Sequence, residues 1–376
     1  MAGELLCYGA KLDSARLRAA LNHTFQSNLK AQEKGRSGTP VCIWGTHGLG
    51  KTMVVQDYAR EHNWRFAYCA PAQFEEMGDL HGLPMLVDPD STVQGDEYTV
   101  FAPPSWVPKD DGPGILLLDD INRADDRILR GLMQLLQNFE MFSWSLPRRW
   151  QIVATANPEG GDYSVTPMDD AMLTRMLHFT LAFDARSWAA WATRLGVDPR
   201  GISFVLTYPE VVTGKRTTPR SLTQFFDQLR ELPDLKAEAE LVHVLAQSTL
   251  DDVTAATFMN FVNDNLAELI NPEEVLDAED FKPVSRRLEK LAGPSGGAKR
   301  VDRLATVCTR LAIHVTASGY KPAERHGENL VSFLLHKDLP NDLRVALHKD
   351  LLRDGTEAVK EMLRDKRLAE LMLAGM

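Results

Sequence analysis

Cysteine is scarce in this chain. Cys7, Cys42, Cys69 and Cys308 are its only four, and they stand far apart. No CxxC and no Cys/His metal spacing is present, so a zinc ribbon or a disulfide framework is excluded. A reduced, cytosolic compartment is the economical expectation, and the protein is read as cytoplasmic. Long apolar runs are also missing. No stretch approaches the about 20 residues that span a bilayer, so no membrane partner is expected. The opening MAGELLCYGAKLD lacks a basic region followed by an apolar one, which argues against a signal peptide. Ten histidines occur without an HExxH or other metal spacing. There is no internal repeat and no low-complexity tract.

What is present has ordinary globular proportions: 376 residues, 44% hydrophobic and 25% charged. At about 100–200 residues per domain, two or three domains are expected. The net charge of −10 is unevenly spread. Residues 281–376 carry 18 basic and 12 acidic side chains, or +6. The remainder has 24 basic and 40 acidic (42 − 18 and 52 − 12), or −16. Nucleic-acid affinity comes mainly from Lys and Arg against phosphate, so the acidic part argues against it. The basic tail leaves it open, although a solvated face is the usual outcome for such an excess.

Apolar spacing predicts a helix over 13–34, with Asp13 or Ser14 as its cap and Leu17, Leu21, Phe25 and Leu29 on one face. Five strands are expected, at Val41–Trp44, Phe66–Cys69, Ile115–Leu118, Gln151–Thr155 and Leu177–Leu181. Short apolar strands alternating with helices predict a parallel sheet covered on both faces. Seven prolines interrupt 71–113, which reads as a functional insertion or a small hairpin. Beyond about Phe183 the pattern is helical. Leu339-Pro340-Asn341-Asp342 starts one such helix, with Val345, Leu347, Leu351 and Leu352 as its apolar positions. Gly293-Pro294-Ser295-Gly296-Gly297 is the linker candidate.

Two segments carry chemistry. Gly45-Thr46-His47-Gly48-Leu49-Gly50-Lys51-Thr52 matches GxxxxGK[ST] between an apolar strand and a helix. Glycines at these positions let backbone N–H groups turn toward phosphate oxygens, and the helix N-terminus adds its dipole. Lys51 is placed to reach the β- and γ-phosphates, and Thr52 to ligate Mg²⁺. The pattern arises by chance in about 1% of chains this long, so its strand–loop–helix context decides for phosphate binding. The second segment is Ile115–Leu118, an apolar strand ending in Asp119-Asp120. Carboxylates there lie in the crevice where open α/β sheets bind ligands. Asp119 is the natural metal ligand.

GTHGLGKT, LLLDDINRA, IVATANP and the later TPRS together resemble an AAA+ ATPase. More narrowly they are similar to the MoxR-type ATPases of the dynein-related, helix-2-insert group, across roughly residues 35–230. Asp120-Ile121-Asn122-Arg123-Ala124 is close to that group's DEINRA, and Gly78-Asp79-Leu80-His81-Gly82 to its GDLxG. The implied fold is a P-loop α/β doubly wound parallel sheet with a helical lid and a helical C-terminal extension. The implied boundaries are 1–185 for the nucleotide-binding domain, 186–280 for the lid and 281–376 for the basic extension. By the same resemblance Asn157 is sensor 1, Arg175 the arginine finger acting in trans, and Arg220 sensor 2. Arg123 is a weaker candidate for the subunit interface. Asp120 stands where the group usually has Glu, one methylene longer, which puts fast hydrolysis in question. Met141, Phe142 and Trp144 resemble the hairpin before sensor 1 and face a pore or pack on the ring, packing being favoured. The implied cofactors are ATP and Mg²⁺. The implied partners are a homo-hexamer and a protein client or von Willebrand factor A domain protein, with nucleic acid open only through the C-terminal extension. Two other readings share these motifs: a nucleic-acid-coupled NTPase motor of the restriction type, and an ATP-gated scaffold that hydrolyses slowly or not at all.

Overall fold

The structure is a computed structural model that describes residues 5–87, 98–160, 164–212, 215–264, 269–293, 300–317 and 319–374. Part of the proline-rich insertion, 88–97, and most of the linker candidate, 294–297, lie outside the described residues. The chain divides into two units, Met1–Phe183 and Asp184–Met376.

In the first unit β1 (Ala10–Leu12) leads into α1 (Ser14–Glu33), then β2 (Val41–Trp44), α2 (Lys51–Glu61) and β3 (Arg65–Cys69). A short α3 (Met77–His81) precedes the hairpin of β4 (Leu83–Val87) and β5 (Tyr98–Ala102). Next come β6 (Gly114–Leu118), α4 (Asp126–Asn138), a small hairpin of β7 (Glu140–Met141) and β8 (Trp144–Ser145), β9 (Trp150–Ala156), α5 (Asp170–Leu173) and β10 (Leu177–Leu181). The main sheet has the order β1-β10-β2-β9-β6-β3, and each of its pairings is parallel. Asp13 caps α1 by accepting from the Arg16 N–H at 2.8 Å.

The strands are apolar on both faces because both are covered. Val41 and Ile43 pack with Leu17, Leu21, Phe25 and Tyr58 from α1 and α2. Cys42 and Trp44, the alternate positions, pack with Leu129, Leu132 and Leu136 from α4. This is the doubly wound α/β arrangement expected from the sequence, with one correction. The sheet has six strands rather than five, because Ala10-Lys11-Leu12 adds an edge strand beside β10. That strand is short, mostly exposed and without an apolar run, so nothing in its pattern marks it.

The insertion folds as a hairpin, with Leu83 opposite Ala102 and Val87 opposite Tyr98. Met141 and Trp144 of the second hairpin are buried, whereas Phe142 is exposed and lies 4.2 Å from the His81 ring and 5.2 Å from Phe101. Packing thus holds for two of the three residues.

The second unit is helical, beginning with α6 (Ala185–Arg194), α7 (Pro199–Thr207) and α8 (Pro219–Leu229). Phe204, Phe225, Phe226, Phe258 and Phe261 are fully buried together. A second core runs from Leu269 to Leu368 without a break at residue 280. Arg310 ties the parts by donating to Ser203 Oγ at 3.0 Å and Asn271 Oδ1 at 2.7 Å. In the helix Asn341–Asp354, Leu347 and Leu351 are buried, but Leu352 is exposed and does not join the apolar face. Among the described residues, no helix is long and apolar enough to cross a membrane.

Candidate functional site

The glycine-rich loop leaves β2 at the C-terminal edge of the sheet and enters α2. Gly48 and Gly50 have φ of 69° and 94°, a region closed to most side chains. Gly50 is also the cap of α2, so its backbone turns the loop into the helix N-terminus. Lys51 follows, with its side chain buried against the sheet. Its Nζ donates to Gly45 O at 2.7 Å, Thr46 O at 3.2 Å and Asn157 Oδ1 at 3.1 Å. All three acceptors are neutral.

Asp119 and Asp120 leave β6, the second strand over from β2. The Thr52 hydroxyl donates to Asp119 Oδ1 at 2.8 Å, which sets two hard oxygen ligands side by side. Asp119 Oδ1 also accepts from Thr155 at 2.7 Å, and Oδ2 from the Tyr68 hydroxyl at 3.1 Å. Burial and the Asp119 charge push the Tyr68 phenol up to about 12, so it remains a donor. Asp120 sits in the left-handed region at φ 50°, a conformation that Asp tolerates better than most residues. Its N–H donates to Thr155 Oγ1 at 2.8 Å, and its Oδ1 accepts from Asn157 Nδ2 at 2.9 Å. Arg123 lies 3.4 Å from Asp120 Oδ2.

Five sequence-predicted residues are therefore brought together: Lys51 and Thr52 on one side, Asp119 and Asp120 on the other, and Asn157 joining them. Two are not. Arg175 precedes β10, whose Leu177 pairs with Val41 at the start of β2. That is the N-terminal edge of the sheet, opposite the loop. Arg175 lines a cleft of about 460 Å³ there with Gly38, Thr39, Pro40, Leu136, Gln137 and Thr174, and its Nε donates to Gln137 Oε1 at 3.0 Å. Arg220 is exposed on the first turn of α8, in the second unit. Three neighbours escaped the sequence reading. Tyr68 and Thr155 look like ordinary strand residues, and Asn122 stands out only as a letter of the DINRA phrase. A polar residue inside an apolar strand, as Thr155 is, was the one available signal.

The residues present fit a nucleotide with its metal. Thr52 and Asp119 offer adjacent oxygens, and Lys51 is a buried cation held by neutral acceptors alone. Burial pushes the Lys51 ammonium down to about 8, against the pull of Asp120 and Asp119. An anionic phosphate at Nζ favours the charged form and raises that value again. Binding then takes up a proton above pH 8 and none well below it. Nucleotide affinity is expected to be flat below about pH 7 and to fall by up to about tenfold per unit between pH 8 and 10. Titration calorimetry across that range checks this. A flat profile would show that Lys51 keeps its proton without the ligand.

Residues 40–176 match the family described as AAA domain (dynein-related subfamily). No curated protein matches the chain. Among solved structures, the RuvB Holliday junction branch migration motor of Thermotoga maritima is similar at 16% identity and TM-score 0.36, covering 76% of this chain and 80% of that one. A proline-to-glycine variant of the same protein gives 14% and 0.38, covering 84% and 88%. A Cytophaga hutchinsonii protein provisionally described as an ATPase gives 13% and 0.32, covering 96% of each chain. At these TM-scores the likenesses carry no argument, and the fold rests on its own strand order. The family match and the strand–loop–helix site agree that the chain is an ATP-hydrolysing enzyme whose first unit is similar to the dynein-related AAA domain.

Proposed function

We propose that this chain is a MoxR-like AAA+ ATPase that couples Mg-ATP binding and hydrolysis to remodelling or activation of a protein partner. One observation carries the reading. Asn157 accepts from Lys51 and donates to Asp120, beside the Thr52–Asp119 oxygen pair, so the P-loop and the carboxylate strand form one bonded array. Lys51 holds the β- and γ-phosphates, and Thr52 and Asp119 hold Mg²⁺. Asn157 and Asp120 orient the attacking water, and Asp120 takes its proton. Mg²⁺, when bound, neutralises charge on the phosphate oxygens. Arg175 serves a neighbouring copy, a role that needs an oligomer, and the homo-hexamer rests on the MoxR resemblance. Arg220 contacts the γ-phosphate from the lid. A von Willebrand factor A domain partner rests on the MoxR resemblance alone.

Steady-state turnover of ATP and GTP, with and without DNA, tests the class. ATP turnover indifferent to DNA supports it. GTP turnover that DNA stimulates would move the chain to the motor reading.

A slow ATP-gated switch is favoured by a specific observation. Both Asp120 oxygens are engaged, Oδ1 by Asn157 and Oδ2 by Arg123, on a side chain one methylene short. Displacement of a base by about 1 Å can cost ~100-fold. Asp120→Glu is therefore expected to raise kcat by about tenfold or more, read by phosphate release. A fall in kcat would show that the left-handed backbone already compensates for the shorter side chain.

A further inference from the structure

We infer that Asn122 is a positioning residue for the hydrolytic site, fixing Asn157 through its backbone. The inference rests on the functional reading above for its kinetic consequence. Its structural content stands alone. Asn122 lies on the single turn Ile121–Arg123 that follows Asp120, and it is fully buried. Its Nδ2 donates to Asn157 O at 2.8 Å, and its Oδ1 accepts from Asn157 N–H at 3.0 Å. Asn157 is also fully buried.

The reason for this pairing lies in the sheet. β6 and β9 are neighbours, with Leu118 opposite Ala154. That pair is the last of the β6–β9 ladder, and the β6 backbone then turns into the single turn through the left-handed Asp120. Without Asn122, Asn157 would leave a buried N–H and C=O unpaired, which is unfavourable away from water. A carboxamide supplies one acceptor and one donor in a plane, as a neighbouring peptide would. Asn122 thus extends the ladder by one side chain. Glutamine holds the same groups one methylene too far out, and aspartate lacks the donor.

The consequence is geometric. With its backbone held, Asn157 has a fixed Cα–Cβ direction, and from there its carboxamide bonds both Lys51 Nζ and Asp120 Oδ1. The clamp also continues outward. Asn122 O accepts from Thr166 N–H at 2.8 Å, and the Thr166 hydroxyl donates to Ala124 O at 2.8 Å. The turn carrying Asn122 is therefore held at two of its carbonyls by Thr166, independently of Asn157.

The test uses the full chain and three readouts. In Asn122→Ala the Asn157 amide should lose its hydrogen-exchange protection. ADP affinity should stay within about threefold, since the P-loop is untouched, while kcat for ATP falls about 100-fold. In an Asn157→Ala background the same change should alter kcat less than about twofold, because a residue acting through another has nothing left to position. Asn122→Asp keeps the shape and the acceptor but loses the donor, so a protected Asn157 amide with lowered kcat is expected. It also keeps the test open should the alanine variant fold poorly. Unchanged kcat in a folded variant, multiplicative losses with Asn157→Ala, or ADP affinity falling in step with kcat each overturn the inference. Absence of turnover in the unaltered chain counts against the functional reading instead, and amide exchange then still decides whether Asn122 holds Asn157.

Discussion

Replacing Lys51 with alanine is expected to weaken Mg-ATP binding by about 10²- to 10⁴-fold. The figure follows from the loss of two charge-assisted hydrogen bonds to phosphate, each about 1.5–3 kcal/mol. The structure says why this lysine has so much to give. Its Nζ is buried and meets two backbone carbonyls and one amide oxygen. Asp119 and Asp120 act on it only through space, and among the described residues no carboxylate bonds it directly. A buried cation in that condition bears a desolvation cost that a phosphate dianion relieves and neutral carbonyls do not. Removing Lys51 also removes that cost, so the free variant should keep its fold, which circular dichroism can confirm. Calorimetric titration with Mg-ATP reads the affinity. A dissociation constant within about threefold of the unaltered chain would take Lys51, and the loop around it, out of the nucleotide site.

Much of this site was legible in the sequence, and the reason is chemical. A phosphate loop needs glycines where the backbone must turn, a lysine at the helix start and a hydroxyl next to it, so residues 45–52 announce themselves. The strand Ile115–Leu118 is legible because burial on both faces makes it uniformly apolar, and the aspartates after it mark its open end. The array that joins the two segments is different. Thr155, Tyr68 and Asn122 act through partners 35 or more positions away in the chain, and spacing cannot report a bond that only the sheet order creates. The edge strand Ala10–Leu12 was hidden for a related reason. It pairs with β10 through its backbone, and its side chains carry no burial pattern to betray it. Asp120 shows both sides of the lesson. Its departure from Glu is visible in the sequence, while its left-handed backbone and its bonds to Asn157 and Thr155 are visible only in the fold.

Arginine at 175 should matter as much to turnover as Lys51 does to binding, but through another copy of the chain. In its own unit it stands at the N-terminal edge of the sheet, and the P-loop stands at the C-terminal edge. No side-chain movement crosses the length of β2, so Arg175 cannot serve the site it is covalently joined to. Its Nε bond to Gln137 and the cleft of Gly38, Thr39 and Pro40 hold the guanidinium at the rim. A cation that neutralises transition-state charge in phosphoryl transfer is worth about 10³–10⁵ in rate. Arg175→Ala is therefore expected to leave Mg-ATP affinity within about threefold while lowering kcat by about 10³. The proposed role in trans makes a sharper demand. Arg175→Ala copies keep an intact P-loop, and Lys51→Ala copies keep an intact arginine. Mixed in one ring, they create some interfaces where a sound loop faces a sound arginine. Turnover of the mixture should then exceed that of either variant alone by well over tenfold, and the gain should vanish on dilution below the assembly concentration. A mixture no more active than the sum of its parts, in rings shown by light scattering to contain both copies, would remove Arg175 from the neighbouring site.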